Sequence, residues 1–468
     1  MNCASEKGKL ASMKPINKSI FRAYDIRGIV DTDFDEEWVA TLARACGTYF
    51  LRNGWDRVLL GHDCRDTSPG YQAAMAKALA ETGLDVVCLD RVSSPVFYYA
   101  AKHLGYKAGI MITASHNPSE NNGFKVWGGE STVYGDAIQT IYDIMCKGDF
   151  PTGNGFISRH DIIPSYKEDL LSRCTLQRPV KVVVDGGNGA SGDLTADILE
   201  AAGADVVRLY CEPDGSFPNH HPDPVVEANA HDLMVKVTET GAEAGIGLDG
   251  DGDRIGAVDE TGRLMFGDQL LAIYARDLLE TLPGARVIAD VKCSHLLFKD
   301  VEAHGGISEM CTTGHSIMKG RMLETGAAIG GEMSGHMFFF HGYHGFDDAT
   351  FAALKLAEII SKQSKPLSTY LDDWPTTFNT PEIRMDCPED IKFEVVERAQ
   401  AYFKERFDVI DMDGARVEFG DGWGLVRASN TQGALVFRFE AESEERLKEI
   451  RETIEAPIMQ WIQELEEQ

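Results

Sequence analysis

Val180-Lys181-Val182-Val183-Val184-Asp185-Gly186-Gly187 contains the pattern that decides the fold. A short β-branched run reads as a buried strand, and the Asp-Gly-Gly exit reads as a loop that starts a helix. The same order recurs at Arg57–Leu60 into Gly61-His62-Asp63 and at Val287–Ala289 into Asp290-Val291-Lys292. Each is followed by further strand and helix alternation, the mark of parallel α/β units. The spacing, slightly over about 100 residues, predicts an α/β unit used three times.

The stretch 374–468 reads differently. Phe393–Phe403 has helical periodicity, and β-like runs at Val409–Ile410 and Val417–Phe419 flank a Met412-Asp413-Gly414 turn. Leu425–Arg427 and Leu435–Phe439 follow as strands, and Ser443 is placed to cap a closing charged helix. The expectation is three similar α/β domains with mixed sheets, at 1–155, 156–260 and 261–373. A C-terminal α+β domain at 374–468 completes it.

The formal charge is −29, from 74 acidic against 45 basic residues, which argues against nucleic acid or an anionic membrane surface as partner. Any anionic substrate must therefore find locally gathered cations, metal or helix N-termini. Ten scattered cysteines without a CxxC pair fit reduced thiols. The stretch before Phe21 lacks an apolar signal core, and no run approaches the ~20 residues of a membrane span. These features predict a cytoplasmic protein.

Two loops carry chemistry. Ala108–Thr113 reads as a strand ending in Ala114-Ser115-His116-Asn117-Pro118, with Lys125 seven residues past the Asn-Pro. A serine at such an exit, beside a histidine, can carry a phosphoryl group or cap a turn. Ala244–Leu248 leads into Asp249-Gly250-Asp251-Gly252-Asp253-Arg254, and Ile255–Val258 leads out. Three alternate aspartates with glycines between them can fold onto one cation, and a bound Mg²⁺ would cancel the loop's net −2.

Two other readings compete. Asp249, Asp251, Asp253 and Glu260 fill calcium EF-hand positions 1, 3, 5 and 12, but Arg254 stands where that loop needs Gly, and the flanks read as strands. Gly187-Asn188-Gly189-Ala190-Ser191-Gly192, with Glu212 downstream, matches a dinucleotide fingerprint and would make the chain a nicotinamide-dependent dehydrogenase. Glycines for close helix–strand packing explain that stretch as well. A Mg²⁺-dependent phosphatase would need only the serine and aspartate loops.

Five motifs in order give the chain its resemblance. They are Phe21-Arg22-Ala23-Tyr24-Asp25-Ile26-Arg27-Gly28, Thr113–Pro118, Asp249–Arg254, Gly331-Glu332-Met333-Ser334-Gly335-His336 and Arg427-Ala428-Ser429-Asn430-Thr431. From Phe21 to about Phe439 the chain resembles the α-D-phosphohexomutase family, and most closely its bacterial phosphomannomutase/phosphoglucomutase branch. The resemblance implies four domains around one cleft. It implies phosphoserine at Ser115 and one Mg²⁺ held by Asp249, Asp251, Asp253 and a phosphoseryl oxygen. Glu332, Ser334 and His336, with Met333 and Gly335 between them, resemble the sugar-hydroxyl loop. Met333 resembles the variant found in enzymes that accept both glucose and mannose.

Arg427, Ser429, Asn430 and Thr431 resemble the clamp on the non-reacting phosphate. Gln432-Gly433 departs there from the Pro of many members. Tyr24, Arg27, Lys125, Arg254, Lys292 and His315 sit in segments similar to the remaining active-site segments. The implied reaction interconverts hexose 1- and 6-phosphates through a hexose 1,6-bisphosphate, with His116, Lys125 and His336 as acid/base candidates and Arg254 offsetting charge. The implied partner is a phosphosugar, and the chain is expected as a monomer or weak dimer.

Overall fold

The structure, a computed structural model, describes residues 14–429 and 433–467. Three of its four sheets follow one plan. In the first, Asp85–Arg91, Arg57–His62 and Ala108–Ile112 run parallel, and Asn121–Gly128 adds antiparallel to the last. Asp205–Leu209, Lys181–Asp185 and Ala244–Leu248 repeat the parallel set in the second, with Ile255–Asp259 added antiparallel. In the third, Ile307–Cys311, Arg286–Asp290 and Ile329–Gly331 are parallel and Met337–Phe339 antiparallel.

The consequence for function is direct. In each of these three sheets the antiparallel hairpin hangs from the third parallel strand, and its connecting loop is one of the motifs above. The serine loop joins Ala108–Ile112 to Asn121–Gly128, the aspartate loop joins Ala244–Leu248 to Ile255–Asp259, and the Glu332–His336 loop joins Ile329–Gly331 to Met337–Phe339. The strands Ala108–Ile112 and Ala244–Leu248 are buried along their whole length, so each loop leaves a fixed base.

Helices are set by ordinary local rules. Asp35 caps Glu36–Arg52 by accepting from the Trp38 N–H at 3.0 Å, and Glu36 and Glu37 fill the first turn. The helices Ser94–His103, Gly192–Ala201, Gly267–Thr281 and Ala349–Lys362, drawn from all three α/β units, contribute to one continuous apolar core.

The last unit keeps its own core, from Cys387 to Leu465. Its six-stranded sheet is antiparallel throughout, with Gly422–Ala428 and Ala434–Ala441 at the centre. Helix Lys392–Lys404 and the Ser443-capped helix Glu444–Glu466 pack on it. Two buried arginines fasten this unit to the third sheet. Arg416 donates to the Val291 and Cys293 carbonyls at 2.7 Å each, and Arg438 to the Lys292 carbonyl at 2.6 Å. The Trp423 ring lies 3.7 Å under the Arg416 guanidinium. Among the described residues no helix is long and apolar enough to cross a membrane.

Candidate active site

Ser115 stands at φ +52, a left-handed conformation that a non-glycine residue adopts only when its surroundings fix it. The fixing group is Arg65, fully buried in the loop after Arg57–His62. Its guanidinium donates to the carbonyls of Ser115, Asn117, Pro118 and Asn121 at 2.9, 2.5, 2.6 and 2.9 Å. Arg27 adds bonds to the Ala114 carbonyl (3.1 Å) and the Asn117 side chain (3.0 Å). Ser115 Oγ lies 2.8 Å from Asp249 Oδ2 and 3.1 Å from His116 Nδ1. Burial first, then Arg254 and Arg27, hold His116 well below its usual pKa, so its imidazole is neutral.

The aspartate loop is wound around Asp249. Its Oδ1 accepts from the backbone N–H groups of Gly252, Asp253 and Arg254 at 2.9, 3.1 and 3.2 Å. Gly250 lets the serine loop approach, since a Cβ there would stand 2.4 Å from the Ser115 carbonyl oxygen. Lys125 Nζ bridges Asp251 and Asp253 at 2.7 and 2.6 Å, and Ser94 Oγ donates to Asp251 at 2.5 Å. Burial, then Asp253 and Asp251, push the Asp249 carboxyl up; burial would also raise Asp253, but Lys125 and His336 hold it well below the carboxylate range.

Magnesium fits these residues. Oxygens of Asp249, Asp251 and Asp253 lie within 4.8 Å of one another, and Asp251 Oδ1 is buried with no hydrogen-bond partner among the described residues. The calcium EF-hand reading fails on geometry. Strands flank the loop, and Glu260 instead accepts from the Ser368 N–H at 3.1 Å. The glycine-rich stretch 187–192 packs under the aspartate loop, with the Ala190 N–H bonded to the Gly250 carbonyl at 3.0 Å. A Cβ on Gly192 would stand 2.8 Å from Gly186 Cα, so these glycines serve close packing.

The third loop adjoins the second. The Ile255 N–H donates to the Gly335 carbonyl at 3.1 Å, and His336 Nε2 lies 3.4 Å from Asp253. Glu332 faces Ser334 Oγ at 3.0 Å and His336 Nδ1 at 3.2 Å, and its other oxygen accepts from the Gly314 N–H at 3.0 Å. Burial lowers His336, but Asp253 and Glu332 overcome it and raise the imidazole to about 10. His315 stacks on it at 5.7 Å, and burial and Lys319 hold His315 well below its usual pKa. Tyr24 closes this side, its hydroxyl 3.3 Å from the Thr313 carbonyl. The Met333 side chain turns inward, its sulfur 2.5 Å from Arg438 Nη1.

From the last sheet, Arg427 donates to Asp413 at 3.0 Å, and Asp413 accepts from the Thr313 N–H at 2.9 Å, so the two units meet here. Arg427 Nη2 and Arg254 Nη2 are buried without a hydrogen-bond partner among the described residues. The Ser429 N–H is tied to the Ala434 carbonyl at 2.9 Å. Asn430 and Thr431 lie outside the described residues. Lys292 Nζ sits 3.1 Å from Glu382 and 3.7 Å from Asp290. Arg65, Ser94 and Glu382 escaped the sequence reading. They are isolated polar residues with partners in other segments, and the strand exit read at Gly61-His62-Asp63 stops short of Arg65.

A serine against a carboxylate triad, two further loops and buried guanidinium groups define a phosphoryl-transfer enzyme. Models of the phosphoglucomutase/phosphomannomutase family match in sequence. Their alpha/beta/alpha domains I, II and III cover residues 18–152, 164–262 and 266–378, and their C-terminal domain covers 382–456. The phosphomannomutase/phosphoglucomutase of Pseudomonas putida is 41% identical over 443 residues, 94% of this chain and 96% of that protein. A phosphoglucomutase of Neisseria gonorrhoeae is 39% identical over 95% of this chain and 98% of its own length. The crystal structure of a family protein from Burkholderia thailandensis superposes with a TM-score of 0.89 at 37% identity, covering 96% of this chain and 98% of that one.

The chain belongs to the phosphoglucomutase/phosphomannomutase family. It is a phosphohexomutase, an isomerase that moves a phosphoryl group within a hexose phosphate.

Proposed function

We propose that the enzyme interconverts the 1- and 6-phosphates of glucose and mannose through phosphoserine at Ser115 and a hexose 1,6-bisphosphate. The observation that carries the reading is Ser115 Oγ at 2.8 Å from Asp249, at the corner of the aspartate triad. The names of the Pseudomonas relatives support both sugars, and those of the Neisseria relatives support glucose. Phospho-Ser115 gives its phosphoryl group to the free hydroxyl of the bound hexose phosphate; the bisphosphate turns round and returns the other phosphoryl group to Ser115.

Mg²⁺, when bound by Asp249, Asp251 and Asp253, supplies Lewis-acid neutralisation of the transferring charge. Arg254 reaches the same Asp249 oxygen as Ser115, and its Nη2 has no hydrogen-bond partner among the described residues, so it adds a donor to the transfer. Lys125 bridges Asp251 and Asp253, and a metal held by those carboxylates would free its ammonium to face substrate oxygens. Glu332 and Ser334 take sugar hydroxyls, and His336 exchanges the hydroxyl proton. Arg427, Ser429, Asn430 and Thr431 grip the phosphate that does not react, with Lys292 beside them. Tyr24, Arg27 and His315 wall the cleft, and Met333 and Gly335 shape the sugar loop through their backbone.

Domain limits near residues 155, 260 and 373 belong to the same proposal; four separate sheets agree with four domains, while Ile157–Arg159 still pairs in the first sheet and Leu264–Met265 in the second, a few residues past the first two limits. Chromatography of products from a panel of glucose, mannose and N-acetylglucosamine 1-phosphates, with bisphosphate activator, tests the substrate assignment. Isomerisation of both glucose and mannose phosphates is expected, and activity confined to the amino sugar would reject it.

A further inference from the structure

The meeting point of the third and fourth sheets already holds an anion. Glu382 directly precedes the strand Ile383–Asp386; its Oε2 lies 3.1 Å from Lys292 Nζ and its Oε1 2.8 Å from Arg384 Nη2. Arg427 feels the same carboxylate: burial lowers its guanidinium, while Asp413 and then Glu382 raise it. Arg384 grips the carboxylate from its other side, its Nε donating to Glu382 Oε1 at 3.0 Å. One carboxylate is thus gripped by two cations, with a third, Arg427, near enough to respond to its charge. Of the contact pair, Lys292 is 6% exposed and Glu382 26%, so the carboxylate lies on the solvent side and an incoming anion must displace it to reach the lysine.

We propose that Glu382 is a built-in stand-in for the substrate's non-reacting phosphate: its carboxylate occupies the Lys292–Arg384–Arg427 cluster in the free enzyme and is displaced when a phosphosugar enters. This rests on the phosphate-clamp reading given above. Burial would raise the Glu382 carboxyl, but Lys292 and Arg384 hold it at about 2, so it is a full anion at every working pH. Two consequences follow from charge. A lone inorganic phosphate must compete with the carboxylate, whereas a phosphosugar offsets that competition through its hydroxyl contacts to the Glu332–His336 loop. A bisphosphate that must let go in order to turn round is released more readily when a carboxylate refills the cations it vacates.

The test titrates inorganic phosphate calorimetrically into the full-length Mg²⁺-loaded enzyme, Glu382→Gln and Arg427→Ala. Glu382→Gln is expected to bind phosphate about 10-fold tighter, roughly 1.4 kcal/mol, while Arg427→Ala binds it more weakly. Unchanged or weaker binding by Glu382→Gln, with Arg427→Ala weakened, overturns the stand-in and leaves the clamp intact. Phosphate affinity indifferent to Arg427→Ala overturns the clamp reading, and this inference with it. Should Glu382→Gln fail to fold, a crystal structure of the parent enzyme with inorganic phosphate decides. Phosphate on Lys292 with Glu382 turned away supports the proposal, and Glu382 still bonded to Lys292 beside the anion refutes it.

Discussion

Ser115 and Asp249 are 134 residues apart in the chain, and their side chains meet at 2.8 Å. The contact exists because two sheets of the same plan present the same hairpin loop toward each other. Arg65 fixes the shape of one loop and the backbone amides around Asp249 fix the other. The site is therefore a property of repeated topology, and mutations that loosen either loop are expected to act on the chemistry before they act on stability.

The metal assignment gives the first expectation. Asp251→Asn keeps the shape of the loop and removes one charge, so affinity for Mg²⁺ falls and turnover at fixed Mg²⁺ drops at least roughly 100-fold. Melting temperatures of variant and parent without metal should be similar. EDTA should reproduce the loss in the parent, and full turnover by metal-free enzyme contradicts the assignment.

A second expectation concerns protons. With Asp253 and Glu332 raising His336 to about 10 against its burial, metal-free enzyme holds the imidazolium through neutral pH. A cation on Asp253 weakens that attraction, so Mg²⁺ lowers the His336 pKa and expels part of its proton. By linkage, Mg²⁺ affinity rises with pH between the lower His336 pKa of the Mg²⁺-bound enzyme and the raised one of the metal-free enzyme. Proton–nitrogen correlation spectra of His336 during pH titration, with and without Mg²⁺, read this directly. A pKa near the ordinary value that ignores Mg²⁺ contradicts it.

Much of this was legible before the structure, and the reason is local. The strand-to-loop exits at residues 57–63, 180–187 and 287–292 predicted the repeated α/β plan, and the Ser443 cap lies where its spacing put it. Asp249, Asp251 and Asp253 were legible because a metal loop is contiguous. Arg65, whose four carbonyl acceptors lie 50 to 56 residues away, was not. Nor was the Lys292–Glu382 pair, which spans 90 residues and two sheets. Contacts made by folding across units leave no periodicity in the chain.

The clamp yields the third expectation. Arg427→Ala removes charge-assisted hydrogen bonds worth roughly 1.5–3 kcal/mol each, and substrate and bisphosphate binding should weaken about 10- to 100-fold. Ser115 phosphorylation should persist, and more bisphosphate should escape during turnover. Steady-state kinetics with released bisphosphate measured in parallel decides: unchanged KM and unchanged release contradict the clamp.

The central claim is the covalent carrier at Ser115, and peptide mass spectrometry tests it most directly. Enzyme treated with glucose 1,6-bisphosphate is digested before and after a chase with excess hexose monophosphate. The expected result is phosphate on Ser115 that the chase exchanges, with Ser115→Ala carrying none and losing nearly all mutase activity. Phosphate found reproducibly on another residue, with Ser115→Ala fully active, would contradict the account.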